Sequence, residues 1–235
     1  MKRSAILLVF SSVLFFLAGC DNPSGQPYRL PYVDGTEVTI AVDHEDHTTP
    51  VAEMFDIKAT LPDQWLAAAA PGWMREIKDS GDSSASTNNY VWIEHPLDYC
   101  QPDTRFYDRP SPPKECKTCA EGLSKCNEWT LYAHMAKDSV TVDAGLSVDD
   151  WVEAGQAIGI EGDVGFTPGG RHVHFTIFTI DRDTITGGIA SPTVNGDYEP
   201  YAEIFGRTEL VPLFCTASGY AYPRTGDTHI AGPCP

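Results

Sequence analysis

The sequence predicts a mostly β protein made of short antiparallel strands, for three reasons. First, 20 Gly and 18 Pro divide the 235 residues into short elements separated by turns. Second, short runs rich in β-branched and aromatic side chains recur between those breaks. Third, an apolar content of 42% is typical of a globular protein and argues against disorder. A chain of this length holds one domain with a substantial core and at most a small appendage.

The first twenty residues are predicted to be a processing signal. Lys2 and Arg3 precede an apolar run, residues 5–18, that is too short for a comfortable bilayer span. The run leads into Leu17-Ala18-Gly19-Cys20, and small residues directly before a cysteine resemble the lipobox of bacterial lipoproteins. In that class Cys20 is lipidated and tethers a soluble domain to a membrane. We therefore expect a signal peptide over residues 1–19 and a lipidated Cys20 with a tether over residues 20–33.

The other cysteines favour structural disulfides. Six remain beside Cys20, and an even number in an exported chain is typical of disulfide pairing. Cys215 and Cys234 are the expected bridge of the C-terminal tail, because each is the other's nearest partner outside the remaining cluster. That cluster consists of Cys100, Cys116, Cys119 and Cys126, whose pairing the sequence leaves open. Cys116-x-x-Cys119 is also compatible with half of a zinc knuckle or a redox motif.

The mature chain is a succession of strand-like runs. They cover residues 38–42, 51–59, 73–78, 90–94, 130–135, 151–160 and 171–180. Residues 66–71 are ambiguous, because their alanines favour a helix that Pro71-Gly72 stops within two turns. Residues 97–128 carry Pro, Cys and charge without periodicity, which predicts an excursion held by its own cysteines. His95 precedes a proline and is predicted to lie in a turn, and His229 is predicted to be exposed.

The net charge of −17 argues against nucleic acid as a partner. Proteins that bind nucleic acid present a basic patch, and this chain has twice as many acidic as basic residues (33 against 16). We expect no nucleic acid to bind.

The residue types that a hydrolytic metal site needs are distributed over the predicted strands. His172 and His174 are two apart on one strand, so their side chains project to the same side. Such a pair can be part of a metal site, or a ligand beside a general base. Asp56, His134 and an upstream pair, His44 and His47, supply further groups. Hydrolytic zinc sites typically combine three His or carboxylate ligands with one open position for water.

Three motifs in order resemble the lysostaphin/LytM-type zinc endopeptidases. That family shows Tyr-x-His-Leu, Gly-Gln-x-Ile-Gly and Gly-x-His-Leu-His-Phe at similar spacing. The counterparts here are Tyr132-Ala133-His134-Met135, Gly155-Gln156-Ala157-Ile158-Gly159 and Gly170-Arg171-His172-Val173-His174-Phe175. The likeness covers about residues 38–182. It implies an antiparallel β-sheet groove with a zinc ion on its floor, over residues 34–185. Residues 97–128 would then be a Cys-rich insertion and residues 186–235 a C-terminal extension closed by a disulfide.

The resemblance also implies a role for each site residue. By position Asp56 and His174 match two Zn²⁺ ligands, and His47 is taken as the third, with His44 as the alternative. His172 matches the catalytic histidine that acts as base or proton shuttle. His134 matches the second catalytic histidine, which orients the water or stabilises the oxyanion.

Three departures from the family pattern stand out. His47 and Asp56 lie nine residues apart, where the family usually has His-x-x-x-Asp. Thr176 occupies a position where many members have Glu, which changes what surrounds the ligands. The Cys-rich insertion has no counterpart in the minimal family domain, and it either walls the groove or is a stabilised surface loop.

These features predict a membrane-anchored zinc metalloendopeptidase that cleaves peptide bonds in peptidoglycan. It would reside in the bacterial cell envelope, held to a membrane by its lipid and facing the periplasm or the exterior. The alternative is a non-catalytic LytM-like lipoprotein that binds the wall or activates an amidase. A peptidase for protein substrates, or a secreted lysin, is a third reading.

Overall fold

The fold was analysed in a computed structural model that describes residues 27–43, 45–46, 54–82, 88–96, 127–165, 167, 170–180, 207–210 and 212–235. Within these residues the strands are β1 (Tyr28–Arg29), β2 (Glu37–Val42), β3 (Met54–Ala59), β4 (Trp65–Ala67), β5 (Gly72–Lys78), β6 (Tyr90–Pro96), β7 (Asn127–Ala133), β8 (Trp151–Val152), β9 (Ala157–Ile160), β10 (Val173–Ile180), β11 (Arg207–Leu210), β12 (Phe214–Thr216), β13 (Gly219–Ala221) and β14 (Thr228–Ile230). One π-helical turn, Ser139–Asp143, follows β7. No helix in the described ranges is long and apolar enough to cross a membrane. The predicted mostly β, antiparallel fold is confirmed.

The main sheet has nine strands, and β10 lies near its centre. The order is β14-β2-β3-β10-β7-β6-β5-β8, with β11 paired to the second half of β10. All pairings within this sheet are antiparallel. Because β3 and β7 both border β10, side chains from three strands meet there on one face of the sheet.

The two faces of the central strands are chemically different. Phe55 and Ile57 of β3 and Phe175 of β10 are at most 1% exposed and belong to the hydrophobic core. Side chains alternate along a strand, so Asp56 and His174, each flanked by core residues, project from the opposite face. The alternation of these few residues therefore separates the core from the polar face on which a site can form.

Both ends of the described chain add strands to the domain. Tyr28, expected within the tether of residues 20–33, lies in β1, pairs in parallel with β12 and is fully buried. In the tail, β11 pairs with β10 and β14 pairs with β2. The predicted Cys215–Cys234 disulfide is confirmed, with the two Cα atoms 4.8 Å apart. Apolar side chains such as Tyr28 and Phe214 explain why these ends pack instead of remaining in solvent.

Two local predictions need correction or completion. Of residues 66–71, which were ambiguous, Leu66 and Ala67 lie in β4 and pair with β9, and both are buried. The predicted excursion over residues 97–128 is shorter at its end, since Asn127 and Glu128 already pair with β6 as part of β7. Residues 97–126, with their four cysteines, lie outside the described residues, as does Cys20.

His95 is not a turn residue, contrary to the prediction. It lies in β6, is fully buried, and both ring nitrogens have partners. The Pro71 carbonyl can only accept, so Nδ1–H donates to it at 2.9 Å, and Nε2 accepts from the Thr130 hydroxyl at 2.7 Å. Burial lowers the pKa of His95 to about 4, with the Pro71 carbonyl acting in the opposite direction. Its neutral ring is thus a structural part of the core.

The neutral His95 should make stability depend on pH. The folded pKa lies below the ordinary value near 6.5, so its contribution is complete above pH 6.5 and is lost as the pH falls toward 4. Between pH 7 and pH 5 the wild type should lose about 2 kcal/mol of unfolding free energy relative to His95→Gln. Urea denaturation of both proteins at both pH values measures this difference.

Wild type has to be compared with His95→Gln because the contribution of Glu161 to the pH dependence of stability has the opposite sign. Burial raises the pKa of Glu161 to about 7, so this carboxyl adds stability as the pH falls. Its contribution is common to both proteins and cancels in the difference. Equal pH dependence of wild type and His95→Gln would show that His95 is not held neutral.

Candidate metal and catalytic site

The register of β10 brings Asp56 and His174 together. His174 lies directly opposite Asp56 on β3 and directly opposite Ala133 on β7. Cross-strand partners lie close on one face of a sheet, and here His174 Nδ1 is 2.8 Å from Asp56 Oδ1. The His174 side chain is 6% exposed and that of Asp56 19%, so the pair lies just below the surface.

His134 and His172 complete a cluster around this pair. Their ring centroids are 4.8 Å apart, and His134 lies 5.9 Å from the ring of His174. His172 Nε2 is 3.6 Å from Asp56 Oδ1. One nitrogen from each of the three histidines lies within 4.8 Å of the others. All three rings are buried, which fixes their positions better than exposed side chains would be fixed.

Backbone carbonyls determine which nitrogen of His134 and His172 carries the proton. Nδ1 of His134 is 2.9 Å from the Val164 carbonyl, and Nδ1 of His172 is 2.7 Å from the Gly170 carbonyl. A carbonyl can only accept, so Nδ1–H is the donor in both rings. In the neutral rings Nε2 then carries a lone pair. Both histidines are consequently able to accept a proton at Nε2.

His174 has the opposite arrangement. Its Nε2 contacts the Sδ atom of Met54, and a thioether can only accept, weakly. With a metal ion bound to Nδ1, the proton of the neutral ring would lie on Nε2 and point to the sulfur, and Nδ1 would present its lone pair beside the carboxylate of Asp56. Without a bound cation, an Nδ1–H would instead donate to that carboxylate, which is a stronger acceptor than a thioether.

The surroundings keep His134 neutral. Burial lowers the pKa of His134 to about 3, and the neighbouring His172 and His174 lower it further when they are charged. The Val164 carbonyl and Asp56 act in the opposite direction. A histidine that stays neutral throughout the physiological range offers a lone pair at all times, as a proton acceptor or a partner of water must.

The donor set fits a divalent metal ion. A carboxylate and neutral imidazole nitrogens are the ligands that zinc uses in hydrolytic sites. Asp56 Oδ1 and His174 Nδ1 lie 2.8 Å apart, so both atoms could bind the same cation. Asp56 and His174 are the predicted ligands within this space, and the three histidines are themselves close enough together to hold an ion. His134 and His172 border the same space with their Nε2 atoms and are close enough to contact a molecule bound there.

Four of the five predicted site residues are thus brought together: Asp56, His134, His172 and His174. The fifth, His47, and its alternative His44 lie outside the described residues, so the third ligand stays a prediction. The separate roles of ligand and catalytic histidine also remain predictions, to which the tautomers now give a physical basis.

Met54 is a site residue that sequence reasoning missed. It is fully buried beneath the cluster and lies opposite Thr176, the position where the LytM family often has Glu. Its place two residues before Asp56 on one strand put it on the same face, which was a usable signal. A methionine usually fills apolar space, so its type gave no hint of a contact with a ring nitrogen.

Replacing Met54 with leucine should weaken metal binding. Leucine has similar volume but accepts no hydrogen bond, so Nε2–H of His174 loses its partner and the tautomer that presents Nδ1 is less favoured. Loss of an outer contact to a ligand typically lowers metal affinity by about 10- to 100-fold. Because a thioether is a weak acceptor, we expect a decrease of about 10-fold here. Zinc titration against a chelating indicator measures the change.

Met54→Gln provides the control for this prediction, because its amide oxygen can accept the Nε2–H. It should bind zinc more tightly than Met54→Leu. Equal zinc affinity of wild type and Met54→Leu would show that the thioether does not orient the ring.

Comparisons with known proteins give structural neighbours only. No family model matches the chain, and no curated protein matches it. The chain is similar to the crystal structure of a zinc-containing peptidase from Vibrio cholerae, with 18% identity over 68% of this chain and 37% of that chain and a TM-score of 0.34. It is also similar to a structure described as peptidase M23 from Pseudomonas aeruginosa, with 13% identity, 67% and 49% coverage and a TM-score of 0.35.

A third solved structure is matched over nearly its whole length. It is the M23 metalloprotease pseudoalterin from the deep sea, with 15% identity, 80% of this chain and 96% of that chain covered, and a TM-score of 0.38. By contrast, this chain spans less than half of the first two structures. The second and third of these structures are described as M23 peptidases. At TM-scores of this size, the chemistry of the site has to be argued from its own atoms.

Proposed function

We propose that this protein is a zinc metalloendopeptidase that hydrolyses peptide bonds in peptidoglycan. One observation carries the proposal: four side chains surround one space, two of them placed to bind a metal ion and two placed to interact with a water molecule. His174 presents Nδ1 beside the carboxylate of Asp56, as a pair of ligands would. His134 and His172 present Nε2 lone pairs on the same space while their Nδ1–H groups are held by carbonyls.

Asp56 and His174 would hold the metal, with His47 or His44 as the third ligand. Bound zinc supplies Lewis acidity, which lowers the pKa of water toward about 7 and polarises a carbonyl oxygen. The remaining chemistry belongs to the chain's own histidines.

His172 is suited to move the proton. Its Nε2 lies 3.6 Å from Asp56 Oδ1, on the edge of the proposed metal position, and can accept a proton from an attacking water. From the same atom the proton can pass to the amine that leaves, so a single fixed ring can serve both halves of peptide hydrolysis.

His134 is suited to orient the water. The resemblance allowed two roles, orienting the water or stabilising the oxyanion. An oxyanion needs a hydrogen-bond donor, but the Nδ1–H of His134 is committed to Val164 and its Nε2 has no proton while the pKa is about 3. The geometry therefore supports the first role, in which Nε2 accepts a hydrogen bond from the water.

The substrate and the location of the protein are supported by sequence features. The three LytM-like motifs point to peptidoglycan peptides as substrate. Lipidation of Cys20 would tether the protein to a membrane of the cell envelope, on the side where peptidoglycan is reached. The Cys215–Cys234 bridge is consistent with an oxidising compartment.

Digestion of purified peptidoglycan tests the function. Residues 21–235, loaded with zinc, should release fragments whose masses identify a cleaved peptide bond, and chelation should stop the release. His172→Ala serves as the inactive control. A zinc-loaded wild type that binds peptidoglycan but cleaves nothing would instead support the non-catalytic alternative.

A further inference from the structure

His134 leaves its strand in an unusual backbone conformation. β7 ends at Ala133, which still pairs with Tyr90 of β6 and His174 of β10. The next residue, His134, has φ = 66°, in the left-handed region. Residues other than glycine seldom adopt this conformation, which costs on the order of 1–3 kcal/mol and persists only when the surroundings enforce it. Something close to His134 must therefore hold its backbone.

The side chain of Asn88 makes the relevant contact. The N–H of His134 donates to Asn88 Oδ1 at 3.1 Å, and Asn88 is 7% exposed. A buried backbone N–H without an acceptor costs about 1–3 kcal/mol. Because the turn at His134 takes its N–H out of the strand ladder, a side chain has to supply the acceptor, and among the described residues that side chain is Asn88.

The neighbouring Asn89 holds the next residue. The Met135 N–H donates to the Asn89 carbonyl at 3.2 Å, and Asn89 Nδ2 donates to the Met135 carbonyl at 3.2 Å. Asn89 is fully buried and also bonds Gly81 through both ends of its amide. Asn89 thus fixes the chain after His134, whereas the contact to His134 itself comes from Asn88.

Two fixed points define where the imidazole of His134 points. The backbone N–H is held by Asn88, and ring Nδ1–H is held by the Val164 carbonyl. Between these points only the two side-chain torsions remain, and burial at 5% exposure restricts both. If the first point is lost, relief of the φ strain turns the Cα–Cβ bond and moves Nε2 away from His172 and His174.

We propose that Asn88 is a positioning residue, which holds His134 in the left-handed conformation that directs Nε2 into the cluster. Its effect on catalysis rests on the proposed peptidase function. Its effect on the geometry of His134 does not, so the two can be tested separately.

Steady-state kinetics test the catalytic effect. Asn88→Ala should lower kcat by roughly 10- to 100-fold, since a displacement of about 1 Å can cost that much. KM should stay nearly constant, because Asn88 reaches the substrate only through His134. Asn88→Asp retains the acceptor oxygen and should recover most of the loss. Asn88→Ser, whose shorter side chain cannot reach the N–H, should stay as slow as Asn88→Ala and replaces it if that variant fails to fold.

Gln156→Ala is the matched control. Gln156 Oε1 accepts the Glu153 N–H at 3.0 Å, which is the same kind of side-chain-to-backbone bond in an exposed turn. Its removal should leave both kcat and KM unchanged. Loss of activity in Gln156→Ala equal to that in Asn88→Ala would mean that the effect is general, and the proposal would be wrong.

The imidazole NMR spectrum tests positioning without relying on activity. In the zinc-loaded wild type, ¹⁵N shifts should show His134 protonated at Nδ1 in a single tautomer. In Asn88→Ala this signal should shift toward a mixture of tautomers, and in Asn88→Asp it should be retained. If the wild type cleaves no peptidoglycan, the spectrum still decides the role of Asn88. An unchanged His134 tautomer and unchanged kcat in Asn88→Ala would overturn the proposal.

Discussion

His174→Ala is expected to abolish stoichiometric zinc binding and, with it, all peptide hydrolysis. The variant removes the nitrogen that faces Asp56 Oδ1 at 2.8 Å and leaves the carboxylate without its imidazole partner. Loss of a ligand should weaken zinc affinity by at least the roughly 100-fold that can follow from losing an outer contact. Elemental analysis of the purified protein and competition with a chelator measure the effect.

His229→Ala is the control for this variant. His229 lies in β14, at the edge of the main sheet, where its ring faces Asp227. Its replacement should leave zinc content at the wild-type value. One bound zinc per chain with unchanged affinity in His174→Ala would contradict the ligand assignment. Parallel zinc measurements on His44→Ala and His47→Ala identify the third ligand, since the true ligand should behave like His174.

The second large effect is expected for His172→Ala, which should lose activity but keep its metal. The ring accepts a proton at Nε2, which lies 3.6 Å from Asp56 Oδ1 but is not one of the proposed ligand atoms, so zinc content should not change. Loss of a general base typically lowers kcat by about 10²- to 10⁴-fold. Single-turnover digestion of peptidoglycan, with zinc content measured on the same sample, separates this outcome from loss of metal.

His134→Ala and the double variant extend this prediction. Because His134 and His172 act on the same water, their losses should not add: the double variant should be about as slow as the slower single variant. Additive losses would indicate that the two rings act in separate steps. Digestion by His172→Ala at the wild-type rate would refute the assignment of His172 as the proton acceptor.

Much of the fold could be predicted because strand patterns are local. Alternation of apolar and polar residues in β3 and β10 put Phe55 and Phe175 on one face and Asp56 and His174 on the other. The same periodicity paired His172 with His174. The tail disulfide could also be predicted, since Cys215 and Cys234 are each other's nearest partners outside the central cluster.

The missed features depend on contacts between residues far apart in the chain. His95 looked like a turn residue because Pro96 follows it, but partners 24 and 35 residues away hold it in the core. Tyr28 looked like part of a tether, yet it pairs with a strand near the C-terminus and its hydroxyl bonds Glu128 at 2.6 Å. The residues next to His95 and Tyr28 in the sequence do not indicate these distant partners.

The sequence by itself determined the mostly β fold, the face of each central strand and the set of residues Asp56, His134, His172 and His174. The fold and the faces follow from the two-residue period of a strand, whereas the set of residues was implied by the resemblance to the LytM family. Only the tertiary structure decided which nitrogens of His134 and His174 are engaged, because Val164 and Met54 reach these rings from other parts of the chain. His172 is held locally, by the Gly170 carbonyl two residues before it. The partner of one nitrogen fixes which nitrogen is left to react.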